Sequence, residues 1–268
     1  MNIARSLTIA GSDSGGCAGI QADLKTFGAL RTHGMSVITS VTAQDTRRVH
    51  RVDDLPAESV EAQIRAVVED IGVDAVKTGM LSNRPIIETV ARLAREYAWD
   101  KLVVDPVMIS SGGDPLIRPQ AVRVLKQDLL PRALLVTPNL AEAEALSGIA
   151  VSSRKRLQEA AEAILEMGPK AVLIKGGHGD GSLSVDWHFW DGGSRQYSAP
   201  RVNTPNTHGS GCTLSAAVTA LLARGLDLPQ ALQEAKNYVT RALRRSLDVG
   251  RGRGPLGHFQ ALDEAPDQ

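Results

Sequence analysis

Short runs rich in apolar and β-branched residues alternate with helical patterns along most of this 268-residue chain, and that alternation is what most narrows its fold. Strands are expected at Ser6 to Ala10, Ser36 to Thr42, Ala75 to Thr78, Leu102 to Asp105, Leu134 to Thr137 and Ala171 to Lys175. Between them, Val60, Ile64, Val67 and Ile71 share one helical face, as do Ile86, Val90, Leu93 and Tyr97, and Leu157, Ala161, Ile164 and Leu165. Strands separated by helices build a mostly parallel sheet covered on both sides. After Lys175 the rhythm changes. Val185 to Trp190 and Arg195 to Ala199, separated by Asp191-Gly192-Gly193, read as an antiparallel hairpin at a sheet edge. The expected architecture is an α/β single domain over residues 1–268, with no linker or repeat to divide it. The glycine-rich tail from Gly250 to Gly257 reads as a flexible, solvated end.

Thirty basic residues balance thirty acidic ones and aromatic content is 3%, so neither a field for nucleic acid or anionic lipid nor a set of stacking platforms is present. Two cysteines make no disulfide framework, and the apolar run Leu7 to Ala10 is too short for an export signal or membrane span. A cytoplasmic protein is expected.

Asn206-Thr207-His208-Gly209-Ser210-Gly211-Cys212-Thr213 runs into a helix whose buried stripe is Leu214, Ala217, Val218, Leu221 and Leu222. The unpaired N–H groups at such a helix start, with its dipole, attract phosphate. They also favour a thiolate, which makes Cys212 a candidate base or nucleophile; a small buried cysteine after a turn is the plainer reading. A second glycine-rich loop, Gly11 to Gly19, follows the first strand without the G-x-G-x-x-G spacing of a dinucleotide site, so a Rossmann oxidoreductase is disfavoured. Asp23 lies in the following helix, as a ligand group or a dipole partner. Gln44 offers an amide just past the second strand.

Asp105 ends a strand before Pro106 and a small-residue stretch that continues through Val107, Ile109 and Ser110 to Asp114, the composition of a flap. Asn139 and Glu142, three apart at a helix start, suit hydrated magnesium or a reciprocal capping box. Lys175, before Gly176-Gly177, suits either a nucleotide phosphate or solvent. Two glycine loops, strand-end carboxylates and a cysteine at a helix start, without a Walker or Ser-His-Asp motif, fit phosphoryl transfer to a small alcohol.

Five segments in order, Ala10 to Gly16, Ala18 to Thr26, Asp105 to Met108, Thr137 to Glu142 and Asn206 to Thr213, resemble the bacterial hydroxymethylpyrimidine/phosphomethylpyrimidine kinases of thiamine biosynthesis, members of the ribokinase-like superfamily. The resemblance implies a three-layer α/β/α sandwich, a homodimer, and ATP-dependent phosphorylation of 4-amino-5-hydroxymethyl-2-methylpyrimidine and then of its monophosphate. It implies that Asp23 and Gln44 hydrogen-bond the aminopyrimidine in a pocket shaped by Gly11, Met80 and Val107. Gly209, Ser210, Gly211 and Cys212 would stabilise the transferring phosphoryl group, with the Cys212 thiolate as base. Lys175 and Thr213 would bind nucleotide, and Asp105, Asn139 and Glu142 would orient Mg2+ through water. Cys17 stands where the family usually has a glycine, and Ser210 where threonine is commoner. Ile109 and Ser110 replace the flap cysteine of related pyridoxal kinases, which favours the pyrimidine. The alternatives are a pyridoxal kinase of the same chemistry and a non-catalytic pyrimidine-binding module.

Overall fold

The computed structural model describes residues 3–109, 116–176 and 181–260. Its centre is a nine-stranded sheet, formed by β1 (Arg5–Asp13), β2 (His33–Gln44), β3 (Val49–Asp54), β4 (Ala75–Thr78), β5 (Leu102–Val104), β6 (Leu135–Val136), β7 (Ala171–Ile174), β8 (Leu183–Trp190) and β9 (Gly193–Pro200). The spatial order is β3-β2-β1-β4-β5-β6-β7-β8-β9. In that order the strands from β2 to β7 pair in parallel, whereas the β2–β3, β7–β8 and β8–β9 pairs are antiparallel.

Successive side chains of a strand face opposite ways, and the core divides accordingly. Val104, Val136, Val172 and Ile174 pack into one apolar cluster with α2 (Ala57–Asp70), α3 (Arg84–Glu96), α4 (Pro119–Val124), α5 (Leu140–Ser147) and α6 (Arg154–Leu165). Val103, Leu135, Ala171 and Leu173 face the other cluster, built with α1 (Gly19–Ala29), α7 (Ser210–Ala223) and α8 (Leu228–Arg244). This is the three-layer sandwich with an edge hairpin. The Asp191-Gly192 turn closes that hairpin with Gly192 at φ +77°, a conformation glycine adopts without strain.

Three expectations change. β3 was not anticipated, because Val-His-Arg-Val-Asp-Asp carries too many charges to read as a strand; as an exposed edge strand it needs no buried face. α7 is not amphipathic: every residue from Thr213 to Leu222 is buried, as fits a helix packed against α1, α8 and the sheet together. The tail is not a solvated end. Arg251 to Arg253 are exposed, but Gly254 to His258 are buried, with Leu256 in the core and Tyr238 donating to the carbonyl of His258 at 3.0 Å. The flap residue Ser110 lies outside the described residues.

Candidate active site

A cleft of about 800 Å³ opens at the carboxyl ends of the parallel strands. That is where open α/β sheets bind ligands, because strand-to-helix loops and helix N-termini converge there. Gly11, Gln44, Met80 and Val107 line the cleft, as do Asp105, Asn139, Glu142, Lys175 and the run from Thr207 to Cys212. The distant spans of the sequence that carry the motifs therefore meet in one place.

The floor is the start of α7. Gly209 has φ +80°, and a Cβ there would overlap the carbonyl oxygen of Cys17, so the helix start packs directly on the first glycine loop. At Gly11 a Cβ would lie 2.9 Å from Met80 Cε, the movable end of a flexible side chain, so the close approach there is milder. On the other side, a Cβ at Gly211 would lie 3.2 Å from Lys175 Nζ. A phosphoryl group seated on the N–H groups of this first turn would therefore sit next to a lysine ammonium.

Lys175 donates to Asp105 Oδ1 at 2.9 Å and lies 3.9 Å from Glu142 Oε2. Burial opposes its charge, but Asp105 and Glu142 outweigh that and hold its pKa above the ordinary lysine value. Asp105 Oδ2 accepts from Ser215 at 3.0 Å and Oδ1 also accepts from Thr137 at 3.3 Å. Asn139 and Glu142 form the reciprocal capping box at the start of α5, with bonds of 2.9 and 2.8 Å. The Asp105 and Glu142 carboxylates thus face the Lys175 ammonium, while Asn139 Oδ1 is engaged by the cap.

Asp23 is also placed differently from expectation. It does not reach the cleft: its side chain is wholly buried, and Lys77 Nζ donates to both oxygens at 2.7 and 2.8 Å while Thr8 donates at 2.6 Å. Thr213 likewise turns inward, donating to the Gly209 carbonyl at 2.9 Å and lying 3.0 Å from His258 Nε2, so its hydroxyl does not face a nucleotide.

Cys212 is half-buried at the cleft floor. Burial pushes its thiol up to about 11, with Lys77 and a Gly19 N–H pulling the other way and the charges of Asp23 and Asp105 adding to the rise. Burial is thus the largest influence on this thiol and favours its neutral form, against the pull of Lys77 and the Gly19 N–H toward thiolate.

Three functional groups were missed. Lys77 is the counter-charge beneath the floor; a lysine within the apolar strand Ala75 to Thr78 was the available signal, since a buried ammonium needs a partner. Asp13 organises the first loop, accepting from the N–H groups of Gly15, Cys17 and Ala18 at 2.8, 2.9 and 2.8 Å. Burial would raise its carboxyl, but His208 and these N–H groups hold it below the usual value. His208 Nε2 lies 2.9 Å from Gln44 Nε2, fixing the amide that faces the pocket. No sequence spacing linked two residues so far apart.

The sequence profile described as phosphomethylpyrimidine kinase matches residues 13–257. The chain belongs to the phosphomethylpyrimidine kinase family. Similar members named hydroxymethylpyrimidine/phosphomethylpyrimidine kinase include one from Bacillus subtilis, 49% identical over 260 residues covering 97% of this chain and 96% of the relative. Another, from Escherichia coli, is 46% identical over 258 residues, with 95% and 97% covered. Among solved structures, a phosphomethylpyrimidine kinase from Clostridium difficile superposes with a TM-score of 0.80 at 45% identity, covering 90% of this chain and 100% of that one. An ADP complex of Bacillus subtilis pyridoxal kinase gives a TM-score of 0.89 at 38% identity, with 96% and 98% covered. The ribokinase-like fold is common to these structures and to this phosphomethylpyrimidine kinase family member.

Proposed function

We propose that this protein transfers the γ-phosphoryl group of ATP to the hydroxymethyl group of 4-amino-5-hydroxymethyl-2-methylpyrimidine, and then to the resulting monophosphate, as the pyrimidine branch of thiamine biosynthesis requires. The observation that carries this reading is the start of α7, where glycine N–H groups, Cys212 and Lys175 converge on the floor of one cleft. Gly11, Gln44, Met80 and Val107 form the wall that would receive the pyrimidine, with Gln44 held by His208. Asp23 supports that wall from behind through Lys77 rather than touching the ligand.

Phosphoryl transfer asks the protein for position and charge stabilisation. The N–H groups of Gly209 to Cys212 would hold the equatorial oxygens of the transferring group, and Lys175 would neutralise the developing charge beside Gly211. Cys212, in the thiolate form that Lys77 favours, would accept the hydroxymethyl proton as the oxygen attacks and become the neutral thiol. In the second step the acceptor is a phosphate oxygen, already ionised, so this proton transfer is not needed. The far arm of the cleft, lined by Asp186, Lys236 and Thr240, would take the nucleoside. Magnesium, when bound, neutralises phosphate charge; Asn139 and Glu142, with Asp105, would hold it through water, which suits a cation that keeps most of its hydration shell. The protein acts in this reading as a cytoplasmic, single-domain homodimer. Among the described residues no helix is long and apolar enough to cross a membrane.

The test is ADP release with Mg-ATP and, in parallel, the hydroxymethylpyrimidine, its monophosphate or pyridoxal, with product identification. Both pyrimidines should yield the diphosphate. Pyridoxal turnover alone would move the protein to the pyridoxal kinase reading, which the 0.89 TM-score to the Bacillus subtilis pyridoxal kinase makes the second candidate. Silence with all three, alongside pyrimidine binding, would leave a binding module.

A further inference from the structure

Cys17 takes no part in the phosphoryl-transfer site, yet it lies beside two residues that do line the cleft. Asp13, Cys17 and His208 bring a carboxylate oxygen, a thiol sulfur and an imidazole nitrogen within 4.8 Å of one another. All three side chains are buried, at 3%, 2% and 5% exposure. Two of them come from the first glycine loop and the third from the turn before α7, so the group sits across the seam where Gly209 packs on Cys17. Among the described residues no other set of three His, Cys, Asp or Glu side chains converges in this way.

We propose that Asp13, Cys17 and His208 form a binding site for a borderline-soft divalent cation of the zinc type, which pins the first loop to the start of α7 and so acts on the pyrimidine pocket.

The donor chemistry selects the ion. Thiolate with imidazole favours zinc over magnesium or calcium, which prefer oxygen, and zinc accepts a carboxylate as third ligand. The bonds needed are about 2.0–2.3 Å long, so a tetrahedral ion needs its donors about 3.3–3.8 Å apart, and the side chains must draw in slightly from their present separation. Asp13 Oδ1 accepts one N–H, from Gly15, leaving a lone pair for the ion. Cys17 Sγ has a 3.5 Å contact to the Gly15 carbonyl, which a metallated sulfur would give up. His208 Nε2 lies 3.7 Å from Asp13 Oδ2 and 2.9 Å from Gln44 Nε2, and the tautomer with its proton on Nδ1 offers an Nε2 lone pair to the ion. Three protein ligands leave a fourth position, where water or a cleft ligand completes the tetrahedron.

Coordination exchanges the Cys17 S–H bond for a sulfur–metal bond and releases the proton to solvent. Because that proton must leave, apparent affinity should rise with pH. Metallation also takes the His208 lone pair from Gln44. The Gln44 amide then keeps only the bond that Thr42 donates to its oxygen at 3.2 Å, and pyrimidine binding should weaken as the site fills.

The experiment titrates zinc chloride alone into the metal-free full-length protein by calorimetry, with cobalt(II) as a spectroscopic substitute. Wild type should bind one equivalent, and cobalt should show a thiolate-to-metal charge-transfer band. Cys17→Ala and Cys17→Gly should each lose the band and weaken zinc by more than the ~10–100-fold that loss of an outer-shell partner costs. Both should retain the kinase activity of the metal-free wild type, which also shows that they fold. Cys212→Ala should keep both the band and the affinity. Absence of binding in wild type, survival of binding in both Cys17 variants, or loss of the band in Cys212→Ala would each overturn the proposal. None of these readouts depends on the identity of the phosphate acceptor.

Discussion

Lys77 Nζ donates to both carboxylate oxygens of Asp23, at 2.7 and 2.8 Å, and neither side chain is exposed at all. Burial alone would lower the Lys77 pKa, but Asp23, Cys212 and Asp105 outweigh it and keep the ammonium charged. Removing one partner strands the other charge in the core. Lys77→Met should therefore destabilise the protein by about 3–5 kcal/mol, and Lys77→Met with Asp23→Leu should recover most of that loss. Urea unfolding of the two single variants and the double variant tests this; losses that simply add would mean that the residues do not act as a pair.

Cys212→Ala should lower turnover of the hydroxymethylpyrimidine by ~10²–10⁴-fold, the usual value of a positioned base, while leaving its KM near wild type. The second phosphorylation, whose acceptor is already ionised, should lose much less. Steady-state rates for the two acceptors give the comparison. Equal losses would make Cys212 a packing residue.

The pH profile should carry the same signature. With the Cys212 thiol up at about 11, the ionised fraction in the free enzyme grows tenfold per pH unit below that value. The logarithm of kcat/KM for the hydroxymethylpyrimidine should then climb through neutral and mildly alkaline pH without reaching a plateau. For stability the sign is opposite. Both Cys17 and Cys212 are pushed from 9.0 to about 11, so the folded protein holds these protons more tightly than the unfolded chain. Their contribution is fully present below pH 9.0 and is lost as pH rises toward about 11. Thermal unfolding of the Cys17→Ala, Cys212→Ala double variant should show a shallower alkaline fall than wild type.

Gly209→Ala should be severe despite its small size. The residue sits at φ +80°, and the added Cβ would overlap the Cys17 carbonyl oxygen. Backbone strain of about 1–3 kcal/mol and a displaced α7 start should together lower stability and nearly abolish turnover. A Gly192→Ala control also has positive φ, +77°, but meets nothing within 4 Å and lies far from the cleft. It should lose some stability and keep its activity, as differential scanning calorimetry and ADP release would report.

Lys175→Gln should reduce turnover for both acceptors and raise the KM for ATP. It removes the charge beside Gly211 and leaves Asp105 and Glu142 without their cation. Initial rates at varied ATP measure this; unchanged ATP kinetics would place Lys175 in a purely structural role.

The layers and much of the site were legible because their signals are local. Apolar runs ending in Gly or Pro mark strand tips, and Gly209 to Cys212 mark a helix start, so the cleft could be placed before any coordinates. What failed was whatever depends on a distant partner. Asp23 looked like a ligand group until Lys77, 54 positions away, claimed both its oxygens. For Asn139 and Glu142 the capping box, favoured by their spacing, is the arrangement seen, and Lys175, far off in sequence, adds a cation beside Glu142 that no local pattern announced. β3 escaped because an edge strand need not be apolar, and α7 misled because its polar Thr213, Ser215 and Thr219 find partners inside the protein.

The docked tail has a consequence for the order in which the site is completed. Thr213, in the first turn of α7, meets His258 at 3.0 Å, and the His208 N–H donates to the Gly254 carbonyl at 3.1 Å. The floor of the cleft therefore leans on a segment translated some 45 residues after it. A nascent chain that has already folded its sheet and most of its helices still lacks this brace until residues 254–258 emerge, so the floor of the cleft is completed after the sheet that carries it.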